Sequence, residues 1–135
     1  MKVLVTGAGG NLARVVVPAL AAAGYTLRLL DVRPIDTAHD LLQGDLRNPD
    51  DLARAVDDVD AVVHAAALHG IHRGHWSPRD FWAINLDGTF NLYQRRLPPR
   101  SPRWCWLAAW PSTAEACSRH RMPGRGHRGQ PDPAR

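Results

Sequence analysis

The stretch Lys2–Ala13, which reads Lys-Val-Leu-Val-Thr-Gly-Ala-Gly-Gly-Asn-Leu-Ala, decides the fold. Its beginning, Val3–Val5, is typical of a short buried strand, and the glycines that follow predict a sharp turn. Apolar residues then recur at helical spacing as far as Ala23, which predicts a helix from about Gly10. The stretch therefore predicts a phosphate site, because backbone N–H groups and the helix dipole both favour an anion at such a helix N-terminus.

The small residues are spaced Gly7-x-x-Gly10-x-x-Ala13 rather than in the commoner Gly-x-Gly-x-x-Gly pattern. Gly7 permits the tight turn, Gly10 lets the backbone approach a pyrophosphate, and Ala13 lets the helix pack close to the strand. The alternative is a purely structural turn, since tight turns need glycine in any fold. The preceding strand, the following helix and an acid after the next strand favour dinucleotide binding.

That acid is Asp31, which follows the predicted strand Tyr25–Leu30 and lies 24 positions after Gly7. An acid at about this distance accepts hydrogen bonds from the adenosine ribose. A carboxylate there repels a 2′-phosphate, so NAD is predicted over NADP, although Arg33 offers a cation that can cover a phosphate. The alternative for Asp31 is a solvated turn acid before Pro34.

The chain continues to alternate strands with helices as far as residue 94. The pattern predicts a third strand at Leu41–Leu42, a helix from Asn48 or Pro49 through Val56, a fourth strand at Ala61–Val63 and a helix over Pro78–Gln94. This order predicts an α/β fold, a Rossmann-type doubly wound parallel sheet with strand order 3-2-1-4. Its ligand crevice lies between strands 1 and 4, where the glycine turn, Asp31, Asp45 and Ala65–Ala67 converge.

The composition changes abruptly after residue 94. Residues 1–94 carry a net charge of −3, whereas residues 95–135 contain nine arginines and two acids and carry +7. Seven of the eleven prolines and three of the five tryptophans also lie in the second part. We therefore predict a dinucleotide-binding domain over 1–94 with an incomplete sheet, and an irregular basic tail over 95–135, in which a strand at Trp104–Trp110 is the open alternative.

Five spaced motifs in residues 1–94 resemble the extended short-chain dehydrogenase/reductases, and among these oxidoreductases the NAD-dependent epimerase/dehydratase type that acts on sugars. They are Thr6-Gly7-x-x-Gly10-x-x-Ala13, Asp31, Gly44-Asp45-Leu46, His64-Ala65-Ala66 and Asn85-x-x-Gly88-Thr89-x-Asn91-Leu92. The resemblance implies NAD as the cofactor and, in intact relatives, a sugar or nucleotide-sugar substrate. It implies that the pyrophosphate is held by the backbone of Gly7, Ala8, Gly9, Gly10, Asn11 and Leu12.

The resemblance also implies roles for residues at the other strand ends. Asp31 would hold the adenosine ribose with Arg33 nearby, and Asp45 and Leu46 would contact adenine. The nicotinamide side would be formed by His64, Ala65, Ala66 and Ala67, with Asn85 as a helix residue close to the cofactor. Two alternatives stay open, namely that Asp45 is an ordinary loop acid and that Asn85 faces solvent.

The family resemblance implies a catalytic Tyr-x-x-x-Lys pair, in which the lysine lowers the tyrosine pKa. The tyrosines here are Tyr25 and Tyr93 and the lysine is Lys2, so no such motif exists and no catalytic residue is predicted. Translated one frame back, codons for Trp104–Ala114 are compatible with Val-Val-Leu-Ala-Ser-Ser-Met-Ala-Val-Tyr-Gly, which resembles the family's fifth strand and serine loop. We hypothesise a frameshifted, truncated family member that is inactive by itself.

Other function classes are less well supported by the residues. The alternative is a non-catalytic, NAD-responsive binding module whose basic tail contacts an acidic partner or nucleic acid, but no nucleic-acid motif is present.

His69, His72 and His75 lie in one loop without a cysteine or acid to complete a metal site, so no metal is predicted. No apolar run is long enough to span a membrane, and Cys105 and Cys117 form no redox motif, so a cytoplasmic protein is expected, of unspecified oligomeric state.

Overall fold

The computed structural model describes residues 1–70 and 74–95 together with the backbone of 103–106. Its strands form one parallel sheet and comprise β1 Lys2–Thr6, β2 Thr26–Asp31, β3 Asp40–Gln43, β4 Ala61–His64 and β5 Arg103–Trp106. The strands lie in the order β3-β2-β1-β4-β5. The predicted order 3-2-1-4 is confirmed, and a fifth strand extends the sheet beyond β4.

At residues 103–106 the fifth strand replaces the expectation of an irregular tail and agrees with the alternative of a strand that begins at Trp104. Their backbone pairs in parallel with β4, with Arg103 opposite Ala61 and Trp106 opposite His64. Two physical effects favour a strand here, although the basic composition and the flanking prolines argue against one. Aromatic residues favour extended backbone, and pairing satisfies the backbone groups along the edge of β4. The prediction of an irregular tail for residues 96–102 and 107–135 concerns residues outside those that the structure describes.

The helices follow the predicted order, with differences at their ends. They comprise α1 Ala13–Ala22, α2 Pro49–Val56, α3 Pro78–Trp82 and α4 Thr89–Gln94, with a π-helical segment, Ala83–Gly88, joining α3 to α4. The first helix begins at Ala13 rather than at about Gly10. The glycine turn continues through Leu12, because the Gly10 N–H donates to the Gly7 carbonyl at 2.9 Å. The first helical hydrogen bonds are therefore those accepted by the Leu12 carbonyl.

Hydrophobic side chains are buried on both faces of the sheet, as a doubly wound fold requires. On one face the cluster comes from the sheet, α2, α4 and the loops that follow β3 and α2, and it contains Leu4, Leu30, Leu46, Leu52, Ala55, Val59, Val62 and Leu92. On the other face it contains Val3, Val5, Ala8, Ala13, Leu27, Leu29, Ala61 and Val63, with Val16, Val17 and Leu20 of α1 packed against it. The alternation of Val3, Leu4 and Val5 between the two clusters follows from the two-residue period of a strand.

The run from α3 to α4 buries only part of its apolar surface. Leu92 is fully buried, whereas Leu86 is 49% exposed and Phe90 is 58% exposed. Trp82 and Tyr93 are exposed as well, and these four side chains line an open groove of about 480 Å³. The apolar pattern of this run therefore does not correspond to a single core-facing stripe.

Thr6 and His64 are buried polar residues at the ends of the central strands β1 and β4. Thr6 Oγ1 and His64 Nδ1 share a hydrogen bond of 2.6 Å, and His64 Nε2 shares one of 2.9 Å with Thr89 Oγ1 at the start of α4. Burial disfavours the charged ring and lowers the pKa of His64 from 6.5 to about 4. The histidine is therefore neutral at physiological pH and joins two strand ends to a helix.

The buried His64 predicts a pH-dependent stability. Its pKa is about 4 in the folded chain and 6.5 in the unfolded chain, so as pH falls the unfolded state takes up the proton first. The stability that the neutral ring supports is present above pH 6.5 and is lost as pH falls toward 4. We expect the difference in unfolding free energy between wild type and His64→Asn, measured with urea, to shrink by about 2 kcal/mol between pH 7 and pH 5. An equal difference at both pH values would contradict this.

Candidate functional site

The glycine turn packs directly against the backbone that follows β4. Gly7 has φ +68°, and a Cβ atom placed there would lie 2.6 Å from the Cα and N atoms of Ala66 and 2.8 Å from the carbonyl carbon of Ala65. All three are backbone atoms, which cannot move aside as a flexible side chain can. Gly7 is therefore required both for its positive φ and for the close approach of two strand ends.

The N-terminus of α1 is open to an external anion. No side chain among the described residues caps this helix, and its first turn contains no acidic residue. By contrast, α2 has the Asn48 side chain as its cap and Asp50 and Asp51 in its first turn. Helices normally satisfy their first N–H groups with such partners, so the uncapped α1 offers its N–H groups and positive dipole end to a bound phosphate.

Asp31 is buried at the end of β2 and is bound to the glycine turn. It is 8% exposed, and its Oδ2 accepts a hydrogen bond of 2.8 Å from the Gly9 N–H. Its Oδ1 accepts hydrogen bonds from the backbone N–H of Arg33 at 3.0 Å and from Arg33 Nε at 3.4 Å. The alternative of a solvated turn acid is therefore wrong, because the carboxylate organises the turn.

Arg33 covers this carboxylate from the solvent side. Its side chain is 66% exposed, and its Nη2 also donates to the Gly9 carbonyl at 3.0 Å. A cation therefore lies between the Asp31 carboxylate and solvent, next to the predicted ribose position. The pair is exposed on the arginine side only, because the Asp31 carboxylate is buried.

Asp45 and Leu46 lie in the loop after β3. The Asp45 N–H donates to Asp51 Oδ2 at 2.9 Å, and the Asp45 carboxylate pairs with the Arg47 guanidinium. Hydrogen bonds from Arg47 hold the pKa of Asp45 below its ordinary value, so it is ionised at neutral pH. The Leu46 side chain is buried in the core, where a Cβ on Gly88 would lie 2.9 Å from its Cβ. Leu46 can therefore meet an adenine only through its backbone.

Asn85, in the π-helical segment, holds the loop that continues from Ala67. Its Oδ1 accepts from the Leu68 N–H at 2.7 Å, and its Nδ2 donates to the Leu68 carbonyl at 2.9 Å. The alternative of a solvent-facing polar residue is wrong, since both ends of the amide are bound to one backbone unit. Asn85 thus anchors the chain just beyond Ala65–Ala67.

Direct contacts connect the glycine turn with Asp31 and Arg33 on one side and with Ala65 and Ala66 on the other. The Asp45 loop joins indirectly, because the Gly44 N–H donates to the Asp31 carbonyl at 3.0 Å. Sequence reasoning did not select Thr6, Thr89 and Asp51 as site residues, although they bind residues that it did select. Both Thr6 and Thr89 lie within the quoted family motifs, and this position was the only indication in the sequence that they belong to the site.

The histidine loop gives no metal centre among the described residues. His69 and His75 lie in described segments, whereas His72 lies outside them. Within residues 1–70 and 74–95, no group of histidine, cysteine and acidic side chains is arranged to hold a metal ion. The helices of the same described part are also too short or too polar to cross a bilayer.

Comparison with known proteins finds relatives that match about two thirds of this chain. A UDP-glucose 4-epimerase of Pisum sativum is 31% identical over 112 residues, which cover 69% of this chain and 32% of the relative. A 3 beta-hydroxysteroid dehydrogenase/Delta 5-->4-isomerase of Mycobacterium tuberculosis is 36% identical over 100 residues, which cover 67% of this chain and 27% of the relative. This chain thus spans about a third of the length of the curated relatives it matches.

Solved structures share the fold. A short-chain dehydrogenase/reductase superfamily protein of Agrobacterium tumefaciens, crystallised with NAD bound, superposes with a TM-score of 0.67 at 32% identity. The match covers 78% of this chain and 32% of that one. A family model described as the NAD dependent epimerase/dehydratase family matches residues 3–96, which include the glycine turn and the ends of β1 to β4. This chain belongs to the NAD-dependent epimerase/dehydratase family.

Proposed function

We propose that this chain binds NAD in the crevice between β1 and β4. The observation that carries the proposal is the glycine turn, which is held between buried Asp31 and the Ala65–Ala66 backbone and leads into an uncapped helix. A Cβ on Gly7 would fill the space in which the two strand ends meet. The residues therefore fit a dinucleotide whose pyrophosphate lies on the turn.

Each part of the dinucleotide has candidate partners. The pyrophosphate would lie against the turn of Gly7, Ala8, Gly9 and Gly10, whose N–H groups are bonded within the chain, and would accept from the N–H groups of Asn11 and Leu12 that lead into α1. Asp31 would accept hydrogen bonds from the adenosine ribose. The adenine would lie at the backbone of Asp45 and Leu46, and the nicotinamide side at His64–Ala67, with Asn85 supporting the following loop. When bound, NAD supplies a hydride acceptor or donor to the reacting carbon.

The Asp31 carboxylate supports a preference for NAD over NADP. A 2′-phosphate would meet a buried negative charge there, whereas ribose hydroxyls would find an acceptor. Arg33 offsets part of this charge, because it pairs with the same carboxylate. We therefore expect the chain to bind NAD more tightly than NADP and still to bind NADP measurably.

We propose that the chain does not carry out hydride transfer by itself. Its sequence holds no Tyr-x-x-x-Lys pair to move the proton as hydride leaves or returns. One relative is named for a sugar nucleotide and another for a steroid, so the names of the relatives do not point to one substrate class. A sugar or nucleotide sugar remains our proposal for the intact relative, and a cytoplasmic location our proposal for the chain.

The DNA sequence across the codons for residues 93–135 tests the frameshift hypothesis. We expect a neighbouring frame to run on from the Trp104 codons into a serine loop and a Tyr-x-x-x-Lys motif, because the composition changes sharply near this point. Early stop codons in both other frames would contradict the hypothesis. The tail would then be the genuine continuation of the NAD-binding part.

Gly7 provides the most direct test of the cofactor site by substitution. We expect Gly7→Ala to remove most of the NAD-induced rise in melting temperature, because the new methyl group meets the Ala66 backbone. The matched control is Gly24→Ala, at φ +81° with nothing within 4 Å of the added Cβ, which has the same backbone strain and no clash. Both variants should lose about 1–2 kcal/mol from the positive φ. An equal NAD response in both variants would contradict the assignment.

Asp31 is predicted to set the choice between NAD and NADP. Asp31→Asn keeps the shape of the side chain and removes its charge, so we expect NAD binding to weaken about tenfold and NADP binding to weaken less. Calorimetric titration with each dinucleotide measures the ratio. Asp36→Asn, an exposed acid in the loop after β2, is the matched control and should leave the ratio unchanged. A ratio that stays at the wild-type value in Asp31→Asn would refute the role of this carboxylate.

A further inference from the structure

A chain of side-chain hydrogen bonds runs from α4 to the wall of the cofactor crevice. Thr89 Oγ1 bonds to His64 Nε2 at 2.9 Å, and His64 Nδ1 bonds to Thr6 Oγ1 at 2.6 Å. Thr6 Oγ1 in turn accepts from the Ala66 N–H at 3.3 Å. Four residues from β1, β4, the loop after β4 and α4 are thus linked in one series.

The last bond of this series holds the backbone where the sheet ladder ends. The Ala65 N–H still donates to the Thr6 carbonyl at 3.2 Å, in continuation of the β1–β4 pairing. The next N–H, that of Ala66, belongs to no rung of the β1–β4 ladder and donates to the Thr6 hydroxyl. The side chain of Thr6 therefore extends the pairing by one residue, to the residue that faces Gly7 most closely.

The orientation of the Thr6 hydroxyl depends on the histidine ring, and the ring depends on Thr89. Thr6 and His64 are both buried, so rotating either group away from its partner costs the desolvation of an unpaired polar atom. Buried polar chains of this kind specify one arrangement rather than a range of arrangements. A change at Thr89 is therefore transmitted to the position of Ala66.

We propose that His64 and Thr89 are positioning residues that fix the Ala65–Ala66 backbone for the nicotinamide half of NAD. This inference rests on the proposed NAD binding. The adenosine half has separate support, because the hydrogen bond between Gly9 and Asp31 and the N-terminus of α1 involve no member of the Thr89–His64–Thr6 series. Loss of Thr89 should consequently weaken NAD but not a ligand that ends at the pyrophosphate.

The test compares NAD with ADP on the full chain by calorimetric titration. We expect Thr89→Val to weaken NAD about three- to tenfold, the value of one buried hydrogen bond, and to change ADP binding by less than about twofold. Thr89→Ser restores the hydroxyl and should restore wild-type NAD affinity. The matched control is Thr26→Val, at an exposed position on β2, which should leave both affinities unchanged. Urea unfolding of each variant shows that the compared proteins are folded.

The outcomes separate this inference from the proposed function. Selective weakening of NAD in Thr89→Val, reversed in Thr89→Ser, supports the positioning role. Unchanged NAD affinity in Thr89→Val, or equal weakening of NAD and ADP, overturns it while NAD binding by the wild type stands. Failure of the wild type to bind either ligand overturns the proposed function and the inference with it.

Discussion

The approach of the Gly7 backbone to the backbone of Ala65 and Ala66 is the constraint on which the rest of the site depends. No side chain fits between these strand ends, since a Cβ on Gly7 would lie 2.6 Å from Ala66 backbone atoms. The turn is therefore compact, and α1 starts directly beyond it at Ala13. The uncapped N-terminus of α1 faces the crevice between β1 and β4 because β1 leads straight into that turn.

Hydrogen bonds then hold the turn from two directions. On the adenosine side, buried Asp31 accepts from the Gly9 N–H and is balanced by Arg33. On the other side, the Thr6 hydroxyl binds the Ala66 N–H and is oriented by the neutral ring of His64. The first support carries a charge, whereas the second is uncharged and acts on geometry. Under the proposed NAD binding, the two halves of the dinucleotide would be supported by separate parts of the fold.

Periodicity and spacing predicted the order of the first four strands and the start of α2, because strands that alternate with helices allow few arrangements. They also predicted that the glycine turn lies beside Asp31 and Ala65–Ala66, whereas the roles of these residues toward a cofactor stay predictions. They left a strand at Trp104–Trp110 only as an alternative to an irregular tail, because the pairing of β5 depends on an open sheet edge rather than on local composition. They also did not predict that Leu46 is core, since a leucine after a loop acid carries no directional signal. The hydrogen-bond partners of His64 could be identified only from the structure, because Thr6 and Thr89 are far from it in the chain.

The most direct measurement of the central claim is an NMR titration of the 15N-labelled full chain with NAD. The account predicts that the amide resonances of Gly7, Gly9, Gly10 and Asn11 shift with a single saturating affinity, together with those of Ala65 and Ala66, while the distant turn at Gly24 stays unperturbed. Such a pattern would place the dinucleotide across the two joined strand ends. Saturable shifts confined to other parts of the chain, or no shifts at millimolar NAD in a folded protein, would contradict the account.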